Sequence, residues 1–436
     1  MPGGSLQKPP DSSTSVRVLT LGCKVNQHES ACLLAGLLAR PGVREAARGE
    51  APDVCIVNTC AVTSRAEAES RQLVRRARRQ GSRVVAVGCA VEADPGLAAL
   101  CGLAVGHADR AHLPERLLGL EAGLPGEPLP SRFADRARAT LKVQDGCNGG
   151  CTYCVVPRLR GRSRSIPPDV ALAELERLAG LGFAEVVLCA VHLGAYGADL
   201  EPPTSLAALL EAALQIIEAK GLMVRLRLSS LEPQEALEIV PLMASSPAIC
   251  RHLHISLQSG SDSVLSRMRR HYLAWSLRGL AVAASARLPG LAIGCDVIAG
   301  FPGETPEEHA ETLELLSPLP LAYLHVFPYS PRPHTLAAAM PAQVGAAVKA
   351  QRAAELRHLS ARMRKGFYQA QVGATAQVVL QGRDHATRLP KGLTDNYVPV
   401  LVDLRGRRLP EGVSERGLLA VRIDRVVDSR VIATLL

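Results

Sequence analysis

The sequence predicts an α/β protein in three parts. These are an N-terminal parallel-sheet α/β domain, a central partial (β/α)6 barrel and a small C-terminal antiparallel β-barrel. Three observations predict it. Short apolar strands alternate with helices over most of the chain, the pattern of parallel sheets. A proline- and glycine-rich stretch, GLPGEPLPSR over 123–132, interrupts the alternation and reads as a linker. Beyond residue 369 the pattern changes to alternating apolar and polar residues between Gly, Asp and Arg turns.

Residues 1–15 carry no apolar segment of the kind a secretory signal needs, and read as a disordered tail. The first domain, 16–122, opens with an apolar strand over 16–21 and a helix over 30–40. Buried strands follow over 54–57 and 84–87, separated by a helix carrying Arg71, Arg75, Arg76, Arg78 and Arg79. The central domain, 133–368, has strands near 140–143, 185–188, 224–228, 252–257, 292–298 and 323–327. Helices fall between them, for example over 168–180, 205–219 and 305–316, and a long helix over 342–369 closes the region. The last domain, 369–436, has strands over 376–380, 397–402, 418–423 and 431–435.

Hydrophobic residues make up 47% of the 436, ample for a core in each part, and aromatics only 3%, so the cores are built from Ala, Leu and Val. No apolar run reaches the length of a membrane span, so no membrane partner and a cytoplasmic location are expected. Twelve cysteines in that compartment read as free thiols or metal ligands rather than disulfides. Cys32, Cys55, Cys101, Cys189, Cys250 and Cys295 sit among apolar or small residues and read as inert core thiols. The net charge of +9 points to a polyanionic partner, chiefly nucleic acid. Arg71, Arg75 and Arg76 on the arginine helix, with Arg158, Arg160, Arg162 and Arg164, are the candidates to bind it.

Three cysteines carry the chemistry. Cys147, Cys151 and Cys154 lie in QDGCNGGCTYC with the spacing C-x₃-C-x₂-C. Three thiolates hold three corners of a cubic iron–sulfur cluster and leave one iron open to a substrate. A zinc knuckle needs a fourth close Cys or His, and none closely follows Cys154. A non-catalytic, zinc-dependent RNA-binding protein is the rival reading of a different class. The loop follows the first barrel strand, at the strand ends where such folds place their active sites. Cys23, Cys60 and Cys89 each come two or three residues after a strand of the first domain, which brings three more cysteines to one sheet edge.

With Tyr153 between its last two cysteines, CNGGCTYC resembles the radical S-adenosylmethionine superfamily. The resemblance implies that the open iron binds S-adenosylmethionine and that the cluster's electron cleaves it to a 5′-deoxyadenosyl radical. TLGCKVNQHES over 20–30, NTCAVT over 58–63 and VGC over 87–89 narrow it to the methylthiotransferases. Segments RLRLSSLEP, HLHISLQSGSD, GFPGET and HVFPYSPRPHT match the same family. GLTDNYVPV over 392–400 resembles the TRAM module, a tRNA-gripping β-barrel.

The resemblance implies a second, auxiliary [4Fe-4S] cluster on Cys23, Cys60 and Cys89, beside the one on Cys147, Cys151 and Cys154. Tyr153, His192, Ser229, His254, Gln258, Asp296 and His325 lie near predicted strand ends and are candidate cofactor contacts. TLGCKVNQHES most resembles the branch acting on N6-threonylcarbamoyladenosine 3′ of the anticodon in tRNA. The alternatives on this scaffold are isopentenyladenosine in tRNA or an aspartate of a ribosomal protein. The implied partners are the tRNA anticodon arm, a reductant such as flavodoxin or ferredoxin, and a sulfur source. Gly150, Ala190 and His334 depart from the family pattern.

Overall fold

The computed structural model describes residues 13–107, 109–118, 129–133, 137–406 and 417–436. Most of the expected tail and linker lie outside these residues. The first sheet is parallel, in the order β2-β1-β3-β4-β5. Its strands are β1 (Thr14–Thr20), β2 (Val43–Glu45), β3 (Val54–Thr59), β4 (Arg83–Gly88) and β5 (Leu103–Val105). β1 therefore starts inside the stretch expected as tail. Val54, Ile56, Val57, Val85 and Val87 are wholly buried, because helices cover both faces of the sheet.

Helix α1 (Lys24–Leu38) begins six residues earlier than expected, and α2 (Ser64–Arg79) carries the arginines. The reason for the early start is burial. Asn26, His28, Glu29 and Ser30 are at most 6% exposed, so polar residues that read as loop are packed inside. α1 lies against the first barrel strand, β6 (Ala139–Lys142), where His28 Nδ1 sits 2.8 Å from the Thr140 carbonyl oxygen.

A two-stranded clasp, β7 (Gln144–Asp145) with β8 (Arg164–Ser165), brackets the cysteine loop. The barrel continues through β9 (Glu185–Cys189), β10 (Arg225–Leu228), β11 (His252–Gln258), β12 (Ala292–Ala299) and β13 (Tyr323–Pro328). These six parallel strands form two sheets, β10-β9-β6 and β11-β12-β13. Single bridges, Leu226 with Ile249 and Leu231 with Ile255, join them. One apolar core of Leu, Ile, Val and Ala fills the region. The long helix Ala346–Ala370 packs on β13.

The terminal strands β14 (Thr375–Arg383), β15 (Pro390–Thr394), β16 (Pro399–Asp403), β17 (Leu418–Val427) and β18 (Arg430–Leu435) close into a barrel, in the order β14-β15-β16-β18-β17. Four pairings are antiparallel, but β16 and β18 run parallel. An odd number of strands closed in a ring cannot alternate throughout, so one parallel pair is unavoidable.

This barrel docks where the central strands begin. Buried Glu185 takes Arg227 at 2.7 Å, Arg225 at 2.7 Å and Arg138 at 3.3 Å. The two deeper guanidiniums also reach the terminal barrel. Arg225 donates to the Leu393 carbonyl at 3.0 Å, and Arg227 donates to those of Thr394 and Asp395 at 2.9 Å each. His252 stacks on Tyr397 at 4.3 Å.

Candidate metal centre

The cysteine loop is built to turn sharply and to point hydrogen-bond donors at its sulfurs. Gly146 has φ +71°, and a Cβ there would stand 2.0 Å from the Arg162 carbonyl oxygen, so glycine is required. The Cys147 N–H donates to the Gly161 carbonyl at 3.0 Å. Thr152 anchors the far side, donating from its hydroxyl to the Arg267 carbonyl at 2.9 Å. The Gly149 N–H donates to Cys147 Sγ at 3.2 Å, and Arg270 Nη1 donates to Cys151 Sγ at 3.1 Å. Such donors stabilise thiolates and tune a cluster they hold.

Charge is arranged to match. His192 Nδ1 lies 4.0 Å from Cys147 Sγ, and its Nε2 lies 2.7 Å from Glu235. Hydrogen bonding to Cys147 and Glu235 pushes His192 up to about 10, while His192 holds the Cys147 thiol below its usual range. Burial pushes Cys154 up to about 12, so that thiol needs a metal to ionise it at neutral pH.

Cys23, Cys60 and Cys89 stand at three neighbouring strand ends. Cys23 follows β1 and caps α1, Cys60 follows β3, and Cys89 opens the short helix α3 (Cys89–Ala93) after β4. β1, β3 and β4 are neighbours, with Thr20 paired to Asn58 and Thr59 to Gly88. Gly22, at φ +90°, packs so closely that a Cβ would lie 2.8 Å from Cys60 Sγ. Asn26 Nδ2 donates to the Leu21 and Thr59 carbonyls, tying the first two turns together. Burial pushes Cys60 up to about 11 and raises Cys89.

In neither trio do all three sulfurs come within 4.8 Å of one another. One zinc ion, with bonds of about 2.3 Å, would hold its sulfurs at roughly 4 Å. The donors aimed at Cys147 and Cys151 suit thiolates that hold an iron–sulfur cluster.

Arg160 is placed differently from the expectation that it binds nucleic acid. It is 4% exposed and bonds inward. It meets Glu29 at 2.8 Å, Asp145 at 2.9 Å and Asn26 at 2.6 Å. The short helix Val156–Arg160 points Arg158 to solvent and Arg160 into the interface between the two cysteine trios. Arg71 is paired with Asp94 at 2.8 Å, while Arg75, Arg76, Arg158, Arg162 and Arg164 are exposed.

The remaining candidates line the barrel. Tyr153, Gln258 and Asp296 border a cavity of about 320 Å³ with Cys154, and Val62 and Thr63 of the first domain also line it. His254 Nε2 lies 3.1 Å from His325 Nδ1 and 3.5 Å from Asp296, and Ser230 Oγ lies 2.9 Å from His254 Nδ1. Among the described residues the buried Ser229 hydroxyl has no hydrogen-bond partner. Arg270, Glu232, Glu235 and Ser230 lie outside the residues expected from the sequence. Glu232 and Glu235 form a capping box on helix Pro233–Ser245, which Glu-Pro-x-Glu could have signalled. Of the departures, Gly150 faces open space, and His334 has φ +65°, which a glycine would take without strain. Among the described residues the six cysteines expected to be inert form no disulfide, five of them being buried and Cys101 partly so.

The Radical SAM superfamily matches residues 141–316, and the Uncharacterized protein family UPF0004 matches residues 15–100. The chain is 34% identical over 409 residues to the Threonylcarbamoyladenosine tRNA methylthiotransferase MtaB of Bacillus subtilis (strain 168), covering 88% of this chain and 89% of that one. It is 33% identical over 391 residues to a tRNA-2-methylthio-N(6)-dimethylallyladenosine synthase of Pelotomaculum thermopropionicum, covering 84% and 86%. A solved radical S-adenosylmethionine methyltransferase, TsrM from Kitasatospora setae, has a TM-score of 0.55 over 75% of this chain and 77% of that one. At 16% identity, that likeness concerns the fold alone. Among the described residues no helix is long and apolar enough to cross a membrane. On the likeness to relatives along nearly its whole length, the chain belongs to the radical S-adenosylmethionine tRNA methylthiotransferases, enzymes that use S-adenosylmethionine and a [4Fe-4S] cluster.

Proposed function

We propose that this enzyme transfers a methylthio group to C2 of N6-threonylcarbamoyladenosine, at the position 3′ of the anticodon in tRNA, with two [4Fe-4S] clusters. The observation that carries the reading is the pair of cysteine trios set on two sides of one buried ion network. Cys147, Cys151 and Cys154 would hold the cluster that supplies the electron for cleaving S-adenosylmethionine. Cys23, Cys60 and Cys89 would hold the auxiliary cluster, where sulfur is carried. Gly149 and Arg270 would orient and stabilise the first set of thiolates through the hydrogen bonds described above. Arg160 and Glu29 would fix α1, and with it Cys23, against the barrel. Tyr153, Gln258, Asp296 and Ser229 would shape the pocket for S-adenosylmethionine. The C2–H bond sits in a stable aromatic ring and is a poor target for polar substitution, which accounts for a radical enzyme.

Protein purified without oxygen is expected to be brown and to carry about eight iron atoms per chain, four for each cluster. Iron for one cluster only, after full reconstitution, contradicts the two-cluster reading.

Exposed Arg75, Arg76, Arg158, Arg162 and Arg164 offer phosphate contacts on the cysteine side. The terminal barrel adds exposed Arg383, Arg388, Lys391, Arg425 and Arg430. Changing Arg71, Arg75 and Arg76 together to Gln is expected to weaken tRNA binding. The slope of log affinity against log salt should flatten by about 2, since each phosphate contact contributes roughly 0.7–0.9. Unaltered affinity at every salt concentration would make that helix an ordinary solvated face. A low-potential donor such as flavodoxin or ferredoxin, a sulfur source and a cytoplasmic setting complete the proposal.

A further inference from the structure

Three side chains on neighbouring barrel strands, none of them a cysteine, converge on one point. They are His254 of β11, Asp296 of β12 and His325 of β13. β12 runs between the other two strands, and Asp296 is the direct register partner of His325. His254 is paired instead with Gly294, which has no side chain to intervene. A Cβ at Gly294 would stand 2.2 Å from the Tyr323 ring. That ring lies over the glycine, its centroid 5.9 Å from that of His254 and 5.0 Å from that of His325. His252 Nε2 holds it in place, 2.8 Å from its hydroxyl.

The atoms that face one another are His254 Nε2, His325 Nδ1 and Asp296 Oδ1. The two nitrogens are 3.1 Å apart, and the oxygen stands 3.5 Å from each. One hydrogen bond between the imidazoles accounts for the first distance. At 3.5 Å the carboxylate is too far for a good hydrogen bond to either ring. The triangle has the size a metal ion demands. Zinc bonds of about 2.0–2.2 Å at tetrahedral angles place ligand atoms roughly 3.3–3.5 Å apart. A supporting partner is present as well. Ser230 Oγ lies 2.9 Å from His254 Nδ1, the ring nitrogen outside the triangle. Metal-binding imidazoles are oriented by such a hydrogen bond at their second nitrogen. His325 is half-exposed, which leaves an entry path, while His254 and Asp296 lie deeper.

We propose that His254, Asp296 and His325 form a binding site for a divalent transition ion, zinc by the fit of size and ligand type. Two imidazoles and a carboxylate are a ligand set that suits zinc. Three protein ligands leave the fourth position open to water or to an oxygen of a molecule in the barrel, as in catalytic rather than structural zinc sites. Asp296 also lines the cavity beside Cys154, so the ion borders the space proposed for S-adenosylmethionine. The site goes beyond the substrate reading above and does not depend on it.

The test uses the full-length enzyme after cluster reconstitution, equilibrated with zinc chloride without oxygen and freed of excess by gel filtration. Iron and zinc are counted together, and zinc X-ray absorption identifies the ligands. The wild type is expected to hold about one zinc per chain, with nitrogen and oxygen ligands at about 2.0–2.1 Å and no sulfur near about 2.3 Å. His325→Ala should lose that zinc and keep its iron, since the ring belongs to neither cysteine trio. Asp296→Asn, which keeps the shape of the side chain, should do the same, and it stands as the second variant should His325→Ala fail to fold. Ser230→Ala should weaken zinc binding about 10- to 100-fold, the usual cost of removing the partner of a ligating imidazole. A wild type that holds no zinc, or holds it through sulfur alone, overturns the proposal. So does a folded His325→Ala or Asp296→Asn enzyme that binds zinc as tightly as the wild type.

Discussion

Cys147→Ala is expected to abolish release of 5′-deoxyadenosine from S-adenosylmethionine while leaving the second cluster in place. Cys147 is the cysteine of its loop whose thiol the surroundings favour as a thiolate. His192 stands 4.0 Å from its sulfur, and the Gly149 N–H donates to it at 3.2 Å. Cys151 and Cys154 would each already hold a corner of that loop's cluster, so neither takes over the missing one. The other trio belongs to different strand ends and keeps its own support from Asn26, Gly22 and Gly88. Iron should therefore fall from about eight atoms per chain to about four. Persistent cleavage of S-adenosylmethionine would remove the assignment of this loop.

Glu185→Gln is expected to destabilise the protein by about 3–5 kcal/mol, the cost of leaving buried charge without its partner. Glu185 is completely buried and neutralises Arg227, itself completely buried, as well as Arg225 and Arg138. Those same arginines carry the backbone contacts to the terminal barrel, so the barrel should loosen with the loss. Denaturant unfolding measures this. The exposed pair Lys220–Glu176 provides the control, where Glu176→Gln should cost under about 1 kcal/mol. The effect also has a sign with pH. Burial alone would raise the Glu185 carboxyl, but Arg227, Arg225 and Arg138 together hold it well below the ordinary range. A depressed carboxyl stabilises the fold above the unfolded value of about 4.3 and loses that contribution as the pH falls toward the folded value. The wild type should therefore lose stability more steeply than Glu185→Gln below about pH 4. Equal stability of variant and wild type at neutral pH would mean that the arginines are compensated elsewhere.

Strand–helix alternation announces the parallel sheets, and six cysteines at strand ends announce the site, because both are local patterns. What the sequence conceals is held together over long separations. The first turns of α1 look like loop because Asn26 and Glu29 bond to Arg160, more than 130 residues away. Arg158, Arg160, Arg162 and Arg164 look like one basic stripe, yet a single helical turn sends Arg160 inward and leaves the others outside. Arg270 carries no local signal, since it meets Cys151 only when the barrel closes around it. The parallel pair in the terminal barrel follows from closure rather than from any strand's own pattern.

The central claim is tested most directly by mass spectrometry of nucleosides after incubating the reconstituted enzyme, S-adenosylmethionine, a sulfide source and a low-potential reductant with tRNA containing threonylcarbamoyladenosine. The expected result is conversion of that nucleoside to its 2-methylthio derivative, dependent on Cys147 and on Cys60. Unchanged threonylcarbamoyladenosine, with both clusters present and S-adenosylmethionine consumed, would contradict it.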